Sequence, residues 1–283
     1  MTPAARPLGP ADLPGCLALS AEAGWNQTAA DWRLIMAAGE VRGLVRDATP
    51  VASAAILPWP GPFGWICMVL VTAAERRRGH ATALLGWAIA RLRELGRVPG
   101  LDATPAGRAV YLPLGFRDVY PVTRLRAPVA APLPAVPDDA DPVRPLLATD
   151  LPAVAAFDAP RFGADRSALL ADLAARAPAL AFVAVRAGAV AGFALGRPGR
   201  TATQIGPVVA QDAATGAALV RAALAACRGP VLIDVPDRQR ALQAALAAAG
   251  FGAERPLMRM LDGRSAPFGR PAAIVALAGP EFG

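Results

Sequence analysis

Three consecutive arginines, Arg76-Arg77-Arg78, lead directly into Gly79-His80-Ala81-Thr82, and apolar residues then recur with helical spacing over about 79–95. Residues 65–71, just before them, read as a strand. A strand that ends in a basic loop and restarts as a helix at a small residue gathers unpaired backbone N–H groups and the positive helix end at one point. That arrangement binds a pyrophosphate. Gly79 and Ala81 are small where the backbone must approach the anion closely, and Arg76, Arg77 and Arg78 can each pair with phosphate oxygens. An ordinary strand-to-helix turn carrying a solvated arginine cluster is the competing reading.

The loop lies in the first of two copies of one plan. Arg6-Pro7-Leu8 with Asp12-Leu13-Pro14 recurs 138 residues later as Arg144-Pro145-Leu146 with Asp150-Leu151-Pro152. Gly115-Phe116 returns as Gly250-Phe251, and Arg76, Gly79 and Ala81 have relatives in Gln211, Ala214 and Gly216, both at an offset of 135. Landmarks built on Arg, Asp, Pro, Gly and Phe resist accidental matching in an alanine-rich chain, so a tandem duplication is expected. Each copy reads as a short strand ending in Arg-Pro-Leu, then a helix capped by Asp12 or Asp150. Strands follow at 43–46 and 51–57, or at 181–186 and 189–195, the second pair forming a hairpin through Ala187-Gly188. Next come a strand (65–71 or 202–209), a helix (79–95 or 213–226), a strand (100–103 or 231–235) and a short helix ending at Gly-Phe. This order predicts an α/β (α+β) class, with a mixed, mostly antiparallel twisted sheet flanked by helices in each copy. The expected domains are 1–126 and 143–283, joined by a Pro/Ala/Asp linker over 127–142 that carries Asp138, Asp139 and Asp141.

The bulk properties agree with two folded domains. At 283 residues the chain exceeds the usual single-domain length, and 54% hydrophobic against 18% charged residues excludes a disordered chain. Arginine supplies all 29 positive charges against 22 acids, a balance of +7 that suits a polyanionic partner. Residues 1–126 hold 14 arginines and 9 acids, with three of those arginines in the loop. No aromatic-interleaved basic stripe accompanies them, so no nucleic-acid partner is expected. Cys16, Cys67 and Cys227 lack CxxC or Cys/His ligand spacing, which predicts neither disulfides nor a metal and suits a cytoplasmic location. The N-terminal residues lack a signal-peptide core, and the most apolar stretch, 179–195, is broken by Arg186, so no membrane partner is expected.

The loop Arg76-x-x-Gly79-x-Ala81, followed by Leu101-Asp102 and then Tyr111-x-x-x-Gly115-Phe116, resembles the GNAT superfamily of acyl-CoA-dependent N-acetyltransferases over most of residues 1–126. The resemblance implies acetyl-CoA as co-substrate, its pyrophosphate cradled by Arg76, Arg77, Arg78, Gly79, His80, Ala81 and Thr82, and its pantetheine arm paired with the backbone of Val69, Leu70 and Val71. Residues 143–262 resemble a second, diverged GNAT domain of the tandem bacterial type, on Phe162-Gly163-Ala164-Asp165-Arg166, Ile205-Gly206-Pro207, Ile233-Asp234-Val235-Pro236 and Gly250-Phe251. That copy has no arginine cluster, and Leu246 stands at the position of Tyr111. A structural or substrate-shaping role is the favoured reading for it.

The family's chemistry is direct attack of an amine on the thioester in a ternary complex. It implies Tyr111 as the donor to the leaving sulfur, because a phenol with a reference pKa of about 10 can give up a proton as thiolate charge develops; a packed core tyrosine is the alternative. A backbone N–H near Leu70 would serve the oxyanion. Residues 65–71 carry no carboxylate, so Asp102 is the leading general base, with an anchor for the Thr104-Pro105 turn as its other reading. His80, the only histidine, is expected to face solvent or phosphate, and Cys67 to be an inert strand thiol. Trp25, Asn26 and Gln27, with Thr28 and Trp32, are the acceptor-binding candidates, suited to a small amine or amino acid. Trp25 and Trp32 can also be read as the core stripe of one helix, and Glu22 as a reader of substrate cations or a solvated helix residue. The function expected is an N-acetyltransferase for a small-molecule amine, in a chain for which a homodimer is open; the alternative is an acyl-CoA-binding sensor whose chemistry has lapsed.

Overall fold

Chain contacts divide the computed structural model, which describes residues 5–129, Leu133 and 142–283, into two units. The first gathers residues up to Leu101 with Gly199–Thr201 and Phe282; the second gathers Asp102–Pro198, Ala202–Glu281 and Gly283. Most of the expected linker, including Asp138, Asp139 and Asp141, lies outside the described residues.

The first unit contains β1 (Ala5–Pro7), α1 (Leu13–Glu22), α2 (Ala29–Ala38), β2 (Glu40–Arg46), β3 (Thr49–Leu57), β4 (Phe63–Val71) and α3 (His80–Glu94). It ends in β5 (Val98–Ala103), whose last two residues belong to the second unit. Strands β1 to β4 are successively antiparallel, and β5 joins parallel to β4. The β2–β3 turn uses Asp47 and Ala48 at φ 47° and 62°, the left-handed pair that a two-residue hairpin requires. Strand β4 pairs with β5 only at Phe63–Trp65 against Val98–Gly100, although β4 runs on to Val71. Its register against β3 shifts between Cys67↔Ala55 and Leu70↔Ser53, around Met68 at φ 53°. The Ser53 hydroxyl donates to the Met68 carbonyl at 2.8 Å and so occupies an acceptor that the bulge frees.

The second unit contains α4 (Pro105–Tyr111), β6 (Phe116–Ala127), β7 (Val143–Pro145), α5 (Leu151–Phe162), α6 (Ser167–Arg176), β8 (Phe182–Arg186) and β9 (Ala189–Arg197). These are followed by β10 (Thr203–Ala210), α7 (Ala213–Ala226), β11 (Val231–Pro236), α8 (Arg240–Ala248), β12 (Gly252–Asp262) and β13 (Ile274–Ala276). Its strands lie in the order β12-β6-β11-β10-β9-β8-β7, with β13 also paired to β10. Only β10–β11 is parallel among these pairings. Ala187 and Gly188, at φ 50° and 80°, form the expected β8–β9 turn. The contact units do not follow the sequence copies, because β6 is paired on one edge with β11 and on the other with β12. Ala127, expected as linker, is the last residue of β6 and pairs with Val231.

The repeated Arg-Pro-Leu-x-x-x-Asp motif has a physical basis that differs from capping α1 or α5. Neither Asp12 nor Asp150 caps the helix it precedes. Each carboxylate turns back instead: Asp12 accepts from the Gly9 N–H at 2.9 Å and pairs with Arg6 at 2.6 Å, while Asp150 accepts from the Leu147 N–H at 2.8 Å and pairs with Arg144 at 2.7 Å. The Arg144 guanidinium holds the Asp150 carboxyl down at about 2. Both copies therefore close the same corner with the same ion pair.

Candidate functional site

Helix α3 begins at Gly79, which adopts the left-handed conformation at φ 79° and, having no side chain, leaves the first turn without a side-chain cap. A helix start of this kind presents unpaired N–H groups and the positive end of the macrodipole. A Cβ on Gly79 would meet nothing within 4 Å, so the backbone there is open to an approaching group. Arg77 is also left-handed, at φ 63°, and alternation of ordinary and left-handed residues turns successive N–H groups toward one concavity. The loop holds itself in place with carboxylates underneath. Glu75, 5% exposed, lies 2.8 Å from Arg46, 3.2 Å from Arg78 and 3.3 Å from His80. Glu22 accepts from the Thr72 hydroxyl at 2.7 Å and from the Ala73 N–H at 2.6 Å, and these donors hold its carboxyl below the usual range.

These contacts change two expectations. His80 is buried against Glu75 rather than exposed in the loop. Glu22 is exposed, as a solvated helix residue would be, but its carboxylate is engaged by Thr72 and Ala73 and so ties the chain just past β4 to α1 rather than standing free to read a cation. The three arginines also separate. Arg78 leans on Glu75, and the Arg76 Nε donates to the Val71 carbonyl at 3.1 Å. Arg77 forms no ion pair among the described residues and is exposed. Val69 and Val71 pack toward α3 beside Leu84 and Trp87, while Leu70 is buried on the other face. Past Trp65, the edge of β4 that faced β5 has no β5 partner. An open strand edge leading to an uncapped, glycine-started helix suits an extended ligand with an amide-bearing arm and a pyrophosphate. The residues present therefore fit CoA.

The acceptor candidates fall between α1 and α2. Trp25 lies outside both helices and Trp32 inside α2, so they do not form one helical stripe; Trp32 is fully buried and its indole N–H donates to Ser20 Oγ at 3.0 Å. The Asn26 side-chain oxygen accepts from the Thr201 N–H at 2.9 Å and hydroxyl at 3.0 Å, and the Trp25 carbonyl accepts from Arg200 Nε at 2.9 Å. Asn26 thus fastens the Gly199–Thr201 segment. Gln27 differs: it is 5% exposed, and its Oε1 has no hydrogen-bond partner among the described residues. Thr28 and Asp31 form a capping box at the start of α2.

Within the second unit Tyr111 ends α4, its ring 5.9 Å from Phe116. The phenol has no hydrogen-bond partner among the described residues, and burial pushes its pKa up, which keeps the proton on oxygen at neutral pH. Asp102 corrects the general-base expectation. Its side chain is fully buried, and both of its oxygens are taken by Arg259, at 2.9 and 2.8 Å. Burial pushes the Asp102 carboxyl up while Arg259 pulls against it. Asp234 stands at the same point of the second copy and is held by Arg124, with both contacts at 2.8 Å. A carboxylate that recurs with the same kind of partner, in a copy lacking the arginine loop, is an ion-pair anchor rather than a proton acceptor. The partner of Asp102 lies 157 residues away, so the signal available in sequence was the repetition Leu101-Asp102 and Ile233-Asp234. Cys16 is buried and its thiol is pushed up to about 12, and Cys67 is also buried, so neither is a nucleophile.

The second copy's counterpart of the loop is built differently. Helix α7 is capped by Asp212, whose carboxylate accepts from the Thr215 N–H at 2.9 Å and from Arg186 at 2.7 Å. The Thr215 N–H, followed by its hydroxyl and Arg186, holds the Asp212 carboxyl below the usual range. A carboxylate of the chain itself occupies the place where an anion would sit.

Two family models match the chain: the acetyltransferase (GNAT) family over residues 19–116 and the acetyltransferase (GNAT) domain over residues 154–274. No curated protein matches it. Among solved structures, a candidate acetyltransferase from Pyrococcus horikoshii is 19% identical at a TM-score of 0.77, covering 99% of this chain and 95% of that one. A GCN5-related N-acetyltransferase from Sphaerobacter thermophilus is 17% identical at a TM-score of 0.64, covering 94% and 96%. A tandem GNAT protein from the clavulanic acid biosynthesis pathway is 17% identical at a TM-score of 0.60, covering 91% and 97%.

Proposed function

From a chain that belongs to the GNAT acetyltransferase family and carries two GNAT domains in tandem, we propose that the first copy transfers an acetyl group from acetyl-CoA to the amine of a small molecule or amino acid. The observation that carries the reading is the uncapped start of α3 at Gly79, reached along the part of β4 past Trp65 that has no β5 partner. Acetyl-CoA supplies an activated thioester. Val69, Leu70 and Val71 would pair with its pantetheine arm through backbone groups, and the N–H groups of residues 77–82 would hold the pyrophosphate. Arg77 is free to meet a phosphate, while Glu75 and Glu22 keep the loop in shape. A backbone N–H at Leu70 would hold the oxyanion. Tyr111, which keeps its proton at neutral pH, would give it to the leaving sulfur. With Asp102 committed to Arg259 and no carboxylate on β4, removal of the amine proton falls to water. Gln27, with a buried acceptor oxygen to offer, is the acceptor-binding residue.

A thiol-release assay with acetyl-CoA against amino acids, polyamines, aminoglycosides and peptides tests this. Release with at least one amine is expected, falling by about a hundredfold in Tyr111→Phe with CoA affinity retained. CoA binding without release for every amine contradicts transfer and favours the sensor reading, which rests on the missing carboxylate of β4.

A further inference from the structure

Strand β10 parts from β11 as β4 parts from β5. The two are parallel-paired at Thr203–Ile205 against Val231–Ile233, after which β10 bulges at Gly206-Pro207. The gap that opens in the second copy is filled. β13 lies antiparallel to β10, with Val208 opposite Ala276 and Val209 opposite Ile274, and on its far side the Leu277 N–H donates to the Asp234 carbonyl of β11 at 2.9 Å. Ile274–Ala278 are 4% exposed or less. The segment is fixed at both ends. Gln239 donates to the Ile274 carbonyl at 3.0 Å, Glu281 pairs with buried Arg197, and Arg166, itself paired with Asp158, donates to the Gly283 carbonyl at 3.2 Å.

The glycines of this region are cut to the segment. A Cβ on Gly206 would collide with the Leu277 carbonyl, and one on Gly216 would lie 2.9 Å from Val275 Cγ2. Gly216 is the residue of α7 that answers to Ala81 of α3, so Val275 sits over the turn where the first copy leaves its helix start open.

We propose that the second copy carries its own ligand: Ile274–Leu277 occupies the groove between β10 and β11, held there by the anchors at Gln239, Arg197 and Arg166, and Asp212 fills the anion seat at the start of α7. The second copy is thereby closed to acyl-CoA by two separate devices, one replacing the extended arm and the other the phosphate. The description of this groove as the counterpart of a CoA groove rests on the reading of the first copy given above. The occupancy itself does not depend on it.

Hydrogen exchange on the full chain, with and without saturating CoA, separates the two claims. The segment 274–283 should exchange as slowly as 203–210 and stay unchanged by CoA, while 69–82 gains protection. Gly216→Ala, a change that intrinsic propensity favours in a helix, should speed exchange of 274–283 at least tenfold, and adding Val275→Ala should reverse this. Rapid exchange of 274–283, a change in its protection on adding CoA, or indifference to Gly216→Ala would overturn the proposal. If no part of the chain responds to CoA, the reading of the first copy fails while protection of 274–283 still decides the occupancy.

Discussion

The starts of α3 and α7 meet the same requirement in opposite ways. Both helices follow a bulged strand and leave orphan N–H groups at their first turn. The second copy satisfies its turn internally, with Asp212 as cap and Arg186 as the counter-charge of that cap. The first copy spends its acids elsewhere. Glu75 lies buried beneath the loop and holds its cations, exposed Glu22 holds its corner at Thr72 and Ala73, and Gly79 leaves the turn uncapped. A helix start with glycine in place of a side-chain cap loses only about a few tenths of a kcal/mol, a small cost that an outside anion at the positive helix end can offset. The comparison teaches that anion competence here depends on where the carboxylates point more than on how many arginines are near.

The comparison can be broken most strongly at the buried carboxylate–arginine anchor that both copies share. Asp102→Asn and Asp234→Asn should each destabilise the fold by about 3–5 kcal/mol in urea unfolding, because each leaves a buried arginine without its counter-charge. If Asp102→Asn instead abolishes turnover at unchanged stability, Asp102 is the base and the symmetry of the two anchors is false. A smaller effect is expected at the helix cap. Asp212→Ala should cost about 1 kcal/mol of stability and gain no second CoA site, since the segment 274–283 still fills the groove. Appearance of a second site would mean that the carboxylate alone closes the second copy.

The smallest expected effect concerns pH and should be alike in both copies. The carboxyls of Asp12 and Asp150 are held below their ordinary 3.8, Asp150 at about 2. Folding stability from these pairs is thus present above about pH 4 and is lost as pH falls toward 2. Carboxyl carbon shifts followed by NMR should show both midpoints depressed, and a normal midpoint in either copy would break the equivalence of the two corners.

What sequence revealed and what it concealed follow from the range of the interactions. The duplicated Arg-Pro-Leu-x-x-x-Asp corner was readable because Arg6 and Asp12 are six residues apart, although its purpose is an ion pair rather than a cap on α1. The hairpin at Ala187-Gly188 and the helix α7 were readable from local turn chemistry and period. The strands β6 and β12 were not, because Pro121 and Pro256 argue against an internal strand; register shifts in their pairing at Ala253/Arg255 and Arg259/Met260 interrupt the regular ladder. His80 was expected to face solvent or phosphate because it lies inside the phosphate loop, yet Glu75 folds beneath it. The short apolar run at Ile274–Ala276 carried no signal of its own, since its partners Val208 and Val209 lie far back in the chain.

Titration calorimetry with CoA on the full chain and on Gly79→Asp tests the central claim most directly. Gly79→Asp gives α3 the carboxylate that α7 already has, at a position where a side chain meets open space and where Asp is among the residues that tolerate a left-handed backbone. The account predicts one CoA per chain, with affinity lost by at least about a hundredfold in Gly79→Asp while the circular dichroism spectrum is retained. Two sites per chain, or a single site that survives Gly79→Asp, would contradict it.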